Sequence, residues 1–459
     1  MRGITMNKTV AAISTPQNTG GIGIIRISGD NAIEIADKIF RPTGKRRLTE
    51  LPGYHASHGR IVFENEDIDE CVALVFREPK SYTGENVVEL SCHGGLFVLK
   101  KVLRAVLASG AEPAGAGEFT KRAFLNGKLD LTEAEAVIDI INAQGEQGAK
   151  AALTALDGAL SKKIDALCGR LLGLSAQLGA WVDYPDDDIE ELENGELLRT
   201  LEEVRGELFS LLSRFDAGSA ITQGVETAII GKPNVGKSAL MNLLSGFGRS
   251  IVTDIAGTTR DVVEQTVRLG SLILHLADTA GIHSTEDVVE KIGVDRAKQR
   301  IERAGLIFAV FDTSSPLEKA DDDILELCKG KRVIGVLNKS DLETKADTEK
   351  IKSVLPVCVE LCAISGSGID LLEEEASRLL CTNEIDTSEA MLSTERQRKD
   401  AEQALEAIDR TIDDLKNQMT YDAVNVSIDT AIEYLLEMTG KKVTDAVIDE
   451  VFSRFCVGK

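Results

Sequence analysis

The sequence predicts a multidomain chain with an α+β N-terminal domain over residues 1–124, an all-α helical domain in two pieces, 125–218 and 382–459, and an α/β domain inserted between those pieces at 219–381. Three observations carry this reading. Apolar runs around 228–230, 272–276 and 333–337 alternate with helical stretches, as a mostly parallel sheet requires. Helical periodicity fills both flanks, 129–215 and 389–452, and neither buries enough alone, so the two are expected to pack together. Residues 8–124 instead mix short strand-like runs with two helical stretches, and a chain of 459 residues is too long for a single core.

Taken in order, TVAAIS, GIGIIRIS, DECVALVF and ENVVELSCHG read as strands, while Asn31–Phe40 and Leu96–Ser109 have helical spacing. The glycines of TGGIGIIRISG do not complete GxGxxG, because Arg26 stands where the last Gly belongs. A Gly-rich hairpin is the expectation there. In the helical part, LTEAEAVIDIINAQ opens with a capping-box shape, Thr132 with Glu135 three residues on. Residues 183–207 hold eleven acids against two basic residues, which reads as a solvated face.

The inserted domain carries the chemistry. An apolar run, Ala228-Ile229-Ile230, breaks at Gly231 into a loop ending Gly236-Lys237-Ser238, and GxxxxGK[ST] fits at 231–238. Gly231 and Gly236 let backbone N–H groups curl around phosphates, Lys237 reaches the β/γ oxygens, and the Ser238 hydroxyl at a helix N-terminus suits Mg²⁺. LILHLADTAG ends a buried strand in Asp278, with Gly281 placed for a γ-phosphate. VIGVLNKSD ends in Asn338-Lys339-Ser340-Asp341. A carboxylate at Asp341 accepts from both N1–H and the 2-amino group of guanine, a donor pair adenine lacks, so the expected ligand is GTP. Gly270-Ser271 leaves room only for a hairpin, so the strands it joins are expected to be antiparallel at the sheet edge.

The composition limits the function classes. Net charge is −23, which argues against a dedicated nucleic-acid binder. Residues 1–124 hold 16 Lys and Arg against 14 Asp and Glu, so the acidic excess lies beyond them. Lys45-Arg46-Arg47 reads as a solvated loop. No run of eighteen apolar residues exists, and the eight Cys form no CxxC pair. A reduced, cytoplasmic protein with no membrane partner is expected.

The loops GKPNVGKS, DTAG and NKSD follow the order and spacing of the Ras-like P-loop GTPases, which the domain resembles. Over nearly its whole length the chain is similar to the tRNA uridine-5-carboxymethylaminomethyl modification GTPases of the MnmE (TrmE) family. The resemblance rests on STPQNTGGIGIIRISG, SYTGENVVELSCHGG, GEFTKRAFLNGKLDLTEAEAV, GKPNVGKSALMNLL, VTDIAGTTRD and the terminal FCVGK. Two positions depart from the family pattern. Val457 replaces Ile without loss of shape, and Cys362-Ala363 replaces Ser-Ala in the guanine loop, where the Ala363 N–H is still expected to reach guanine O6.

The resemblance implies a GTP site made by Asn234, Val235, Gly236, Lys237, Ser238 and Ala239, by Thr253, Asp254, Ile255, Ala256, Gly257, Thr258 and Thr259, by Asp278, Thr279, Ala280 and Gly281, and by Asn338, Lys339 and Asp341. It places Mg²⁺ on Ser238 and Thr259, and K⁺ on Asn234, Thr253, Ile255 and Thr258. An Asn oxygen and backbone carbonyls suit a hard monovalent cation. Ile282 stands where Ras-like enzymes carry a water-orienting Gln, and the resemblance names Glu290 in its stead. It also implies a homodimer, a flavoprotein partner, MnmG (GidA), in a heterotetramer, and a tRNA substrate modified at C5 of the wobble uridine. The one-carbon unit comes from a folate such as 5-formyltetrahydrofolate, held by Arg26, Glu89, Lys128 and Lys459. Glu85 lies close to Glu89 in sequence and competes with it for that role. Cys456 reads either as a nucleophile beside Lys459 or as a Cys buried in the last helical turn, and the family resemblance favours a catalytic function in RNA modification, its chemical role left open. The rival reading is a ribosome-assembly or signalling GTPase, whose relatives append a basic module with a GXXG clamp. This chain appends an acidic helical part and FCVGK instead.

Overall fold

A computed structural model describes residues 8–183, 194–247, 265–276, 302 and 304–459. The chain forms two compact units, one made of residues up to Ile138 with Ile164–Leu172 and Asp429–Lys459, the other of Asp139–Lys163 and Gly173–Ile428.

The first unit is built on a seven-stranded sheet of β1 (Val10–Ile13), β2 (Ile22–Ser28), β3 (Phe40–Pro42), β4 (His55–Phe63), β5 (Glu66–Phe76), β6 (Val87–His93) and β7 (Glu112–Pro113), in the order β3-β4-β5-β6-β2-β1-β7. The expected Gly-rich hairpin is present: β1 and β2 pair antiparallel, Val10 opposite Ser28. Helices Ala32–Ile39 and Leu96–Ala108 lie where their spacing places them, and bury Ile33, Ile35, Leu99 and Val102 in one core with Ile25, Ile27 and Leu90 of the sheet. β3, β4 and β7 carry no clear apolar alternation. In β4, His55, Ala56 and His58 face solvent, so only the ladder to β5 identifies it as a strand.

The helix after residue 130 starts differently from expectation. It spans Leu131–Asn142, and its capping box is Asp130 with Glu133, not Thr132 with Glu135: the Glu133 N–H donates to Asp130 Oδ1 (2.9 Å) and the Asp130 N–H donates to Glu133 Oε2 (2.8 Å). Leu131 is the reason. It is wholly buried with Phe124, Val451, Phe452 and Phe455, so the chain must already be helical there. Within this unit the C-terminal helix Asp445–Ser453 therefore packs on the helices Glu118–Leu125 and Leu131–Asn142, a pairing across more than three hundred residues of sequence.

The second unit holds a six-stranded sheet of β8 (Val225–Ile230), β9 (Gln265–Leu269), β10 (Leu272–Leu276), β11 (Leu306–Asp312), β12 (Val333–Asn338) and β13 (Cys358–Leu361), ordered β13-β12-β11-β8-β10-β9. Every neighbouring pair is parallel except β9 with β10. That edge hairpin turns at Gly270-Ser271 as expected, with Gly270 at φ +59°. The central strands are apolar on both faces, Ile307 and Phe308 both fully buried, because helices cover both sides. In the same unit the helix Asn194–Ser213 lies along Glu395–Lys416, and Thr154 Oγ1 donates to the Thr387 carbonyl (3.0 Å). The helical segments before and after the sheet thus share one packing, with the sheet inserted between them.

Candidate functional site

β8 ends where the backbone must leave the strand sharply. Asn234 takes φ +63° and Gly236 φ +102°, left-handed conformations that turn the chain into the helix Lys237–Phe247. Gly236 has a second reason to be Gly. A Cβ there would stand 2.1 Å from Asn338 Nδ2. The Lys237 ammonium donates to the carbonyls of Gly231 (2.8 Å) and Lys232 (2.7 Å). An ammonium has three donors, so one is left to meet a phosphate oxygen. Burial holds the Lys237 pKa below its ordinary value.

Asn338, at the end of β12, ties three loops together. Its Nδ2 donates to the Val235 carbonyl (2.8 Å), and its Oδ1 accepts from the Ala363 N–H (3.0 Å). The Ala363 N–H, expected to reach guanine O6, is therefore directed at Asn338. A buried Asn must satisfy its carbonyl oxygen as well as its amide, and Ala363 is the donor that does so. Lys339 takes φ +65° and pairs with Asp312 (2.5 Å), while Asp341 stands exposed at the loop end. Beside these loops opens a cavity of about 390 Å³, lined by Ala239, Asn242, Leu243, Gly246, Ala363 and Ile364. Thr253, Asp254, Ile255, Ala256, Gly257, Thr258, Thr259, Asp278, Thr279, Ala280, Gly281 and Glu290 lie outside the described residues.

In the first unit, Arg26 of β2 stands opposite Glu89 of β6 in the ladder, and their side chains join at 2.8–2.9 Å. The guanidinium also lies over two rings, Tyr82 at 5.5 Å and Phe119 at 5.4 Å, and the Tyr82 hydroxyl is 2.9 Å from Thr120 Oγ1. Burial pushes the Tyr82 pKa up. Glu85 is engaged elsewhere: it accepts from the buried Arg122 (3.0 Å) and from Ser28 Oγ (2.8 Å). Glu89, not Glu85, is thus the carboxylate facing Arg26. Tyr82 and Phe119 escaped sequence reasoning, although SYTGENVVEL carries one of them; only the fold brings them to Arg26.

The last residues dock on this same unit. Val457 bridges to Ala116, the Phe119 N–H donates to the Lys459 carbonyl (3.1 Å), and Gly458 adopts φ +102° against β1. Lys459 is close enough to Arg26 and Glu89 to feel both charges. Its pKa is lowered, first by burial and then by Arg26, with Glu89 and Cys456 opposing. Cys456 is exposed and lies beyond the helix Asp445–Ser453, so it is not a Cys buried in the last helical turn. Lys128 does not take part in the Arg26–Glu89 pairing; it is exposed and donates to the Pro79 carbonyl (3.3 Å). Gly458→Ala places a Cβ 2.3 Å from the Ile13 carbonyl oxygen at a φ that Ala disfavours. The expected result is a released tail, seen as faster hydrogen exchange at the Phe119 amide; unchanged protection would mean that the tail is held by other contacts.

The phosphate loop on β8, the Asn338 tie and the exposed Asp341, carried on a six-stranded and mostly parallel sheet, define a Ras-like P-loop GTPase domain. The family model described as the MnmE helical domain matches residues 131–456, and that of the GTP-binding protein TrmE N-terminus matches residues 9–128. The tRNA modification GTPase MnmE of Acetivibrio thermocellus is 41% identical over 98% of this chain and 99% of its own length, and that of Geobacillus thermodenitrificans is 42% identical with the same coverage. The chain belongs to the MnmE family of tRNA modification GTPases. Among solved structures, Aquifex aeolicus Era bound to GDP.AlF4- is 29% identical over 40% of this chain and 66% of its own, with a TM-score of 0.28.

Among the described residues no helix is long and apolar enough to cross a membrane, and no cluster of three or more His, Cys, Asp or Glu forms a metal site.

Proposed function

We propose that this protein hydrolyses GTP in the cytoplasm to drive modification of C5 of the wobble uridine of certain tRNAs, adding a carboxymethylaminomethyl or aminomethyl group together with the flavoprotein MnmG (GidA). The observation that supports the reading most is the docking of the C-terminal tail on the N-terminal unit, which sets Lys459 beside the Arg26–Glu89 pair with Cys456 three residues away. Nothing in GTP hydrolysis needs that arrangement. A second chemistry does.

At the nucleotide, Asp341 accepts from the guanine edge, and Lys237 gives its third N–H to the phosphates. Ser238, at the start of its helix, with Thr259 suits Mg²⁺. Asn234, with carbonyls of Thr253, Ile255 and Thr258, suits K⁺. Cations held there would supply positive charge against the negative charge on the oxygens of the transferred phosphoryl group. Glu290 orients the attacking water in place of the absent Gln. At the N-terminal site, Glu89 faces the donor pair of a pterin, Arg26 and Lys459 its carbonyls or glutamate tail, and Lys128 joins them once it leaves the Pro79 carbonyl. A homodimer, and a heterotetramer with the flavoprotein, are part of the proposal, as is the division at 1–124, 125–218, 219–381 and 382–459.

Mass spectrometry of wobble nucleosides from a strain lacking the protein tests the reading. The aminomethyl-type uridine should disappear and return on expression of the wild-type chain. A normal nucleoside profile in the deletion strain would reject it in favour of a switch GTPase.

A further inference from the structure

The connection from β11 to the helix Lys319–Leu327 touches both nucleotide loops. At its start, the Thr313 N–H and hydroxyl both donate to the Asn338 carbonyl (3.0 and 2.8 Å), beside the Asp312–Lys339 pair. At its end, Asp321 Oδ2 accepts from the Lys232 ammonium at 2.9 Å and from the Glu318 N–H at 2.9 Å. This second pair is deeply placed: Asp321 is 1% exposed and the Lys232 side chain 12%. Glu318, 3.5 Å from the same ammonium, is largely exposed and adds less. Burial works to lower the Lys232 pKa, and Asp321 with Glu318 overcomes it, so the lysine is held charged.

Such a pair is a poor way to gain stability. The second oxygen, Asp321 Oδ1, is buried and meets no donor among the described residues. A buried ion pair with an unsatisfied oxygen is at best neutral against apolar side chains of the same size. Asp321 also closes the capping box of this helix with Glu318, a local role that does not need Lys232; what the pairing with a buried lysine adds is shown by the backbone of Lys232. The Lys232 carbonyl is one of the two acceptors that hold the Lys237 ammonium, at 2.7 Å. Tethering the side chain of Lys232 pins the peptide group that aims Lys237.

We propose that Asp321 is a positioning residue for phosphate binding: through the Lys232 side chain it holds the P-loop carbonyl that directs Lys237 at the phosphates of GTP. The proposal rests on the reading of this loop as the GTP site. Misaiming the charge-assisted hydrogen bond from Lys237 to a phosphate forfeits part of its worth, about tenfold in affinity.

The test uses the full chain, a fluorescent GTP analogue and thermal melting. Wild type should bind the analogue; if it does not, the GTP reading itself fails. The double variant Lys232→Met/Asp321→Asn removes both charges and keeps a side-chain oxygen to accept from the Glu318 N–H. It should melt near wild type yet bind the analogue about tenfold more weakly. Lys232→Arg, which can still pair with Asp321, should bind within about twofold of wild type. Affinity of the double variant within twofold of wild type would overturn the proposal. So would a loss of affinity matched by a loss of melting temperature, since that is the mark of a structural brace alone.

Discussion

The Asp341→Asn protein should lose GTP and take xanthosine triphosphate. Asp341 is exposed at the end of the Asn338–Asp341 loop, in which Asn338 accepts from the Ala363 N–H. In the proposed reading its carboxylate accepts two hydrogen bonds from guanine, each worth about 1.5–3 kcal/mol because the acceptor is charged. Asn keeps one acceptor oxygen but sets an N–H against the other guanine donor, so one charged bond is lost and two donors face each other, which weakens GTP on the order of 10²- to 10⁴-fold. Xanthine has a carbonyl where guanine has its amino group, so the new Asn amide meets an acceptor and recovers one bond. The fold should be untouched, since Asp341 buries nothing. Competition binding with the two triphosphates is the measurement, and unchanged GTP affinity would sink the guanine assignment.

Cys456→Ser should separate the two activities, leaving GTP hydrolysis near normal while abolishing wobble-uridine modification. Cys456 is exposed, lies past the end of the helix Asp445–Ser453, and interacts electrostatically with Lys459, which in turn feels Arg26 and Glu89. It is not among the contacts of the phosphate loop. A hydroxyl at this position keeps the size but is a far weaker nucleophile at neutral pH. An exposed substitution of this kind should change stability by no more than about 0.5 kcal/mol, which a melting curve checks. The readouts are GTP turnover in vitro and nucleoside mass spectrometry after complementation of a deletion strain. Restoration of the modified uridine by the Ser variant would make Cys456 a structural residue.

The two predictions draw on the sequence to different degrees. The guanine loop is legible because its chemistry is local: Asn338 to Asp341 occupy four consecutive positions after one apolar strand, and Asp341 can be assigned a hydrogen-bond partner without knowing what lies beneath it. The role of Asn338 is less local. Its side chain spans Val235 and Ala363, more than one hundred residues upstream and twenty-five downstream, so its tie to the Ala363 N–H is not legible in the sequence.

What the sequence by itself determined are features whose cause lies within a few residues. Gly236 and Gly270 mark positions of positive φ, Gly270-Ser271 allows only a hairpin, and apolar runs such as VIGVLN can be buried only in a sheet covered on both faces. Tertiary structure decided the rest. Whether Glu85 or Glu89 faces Arg26 depends on which one Arg122 takes, and Arg122 comes from a helix packed across the sheet. The start of the helix at Leu131 depends on the aromatic cluster of Phe452 and Phe455, brought from the far end of the chain. Asp321 finds Lys232 for the same reason. Side-chain charge and size can be read from the sequence, but the partner of a buried charge is whichever group the fold places within hydrogen-bond reach, and that distance is set by packing between elements remote in sequence.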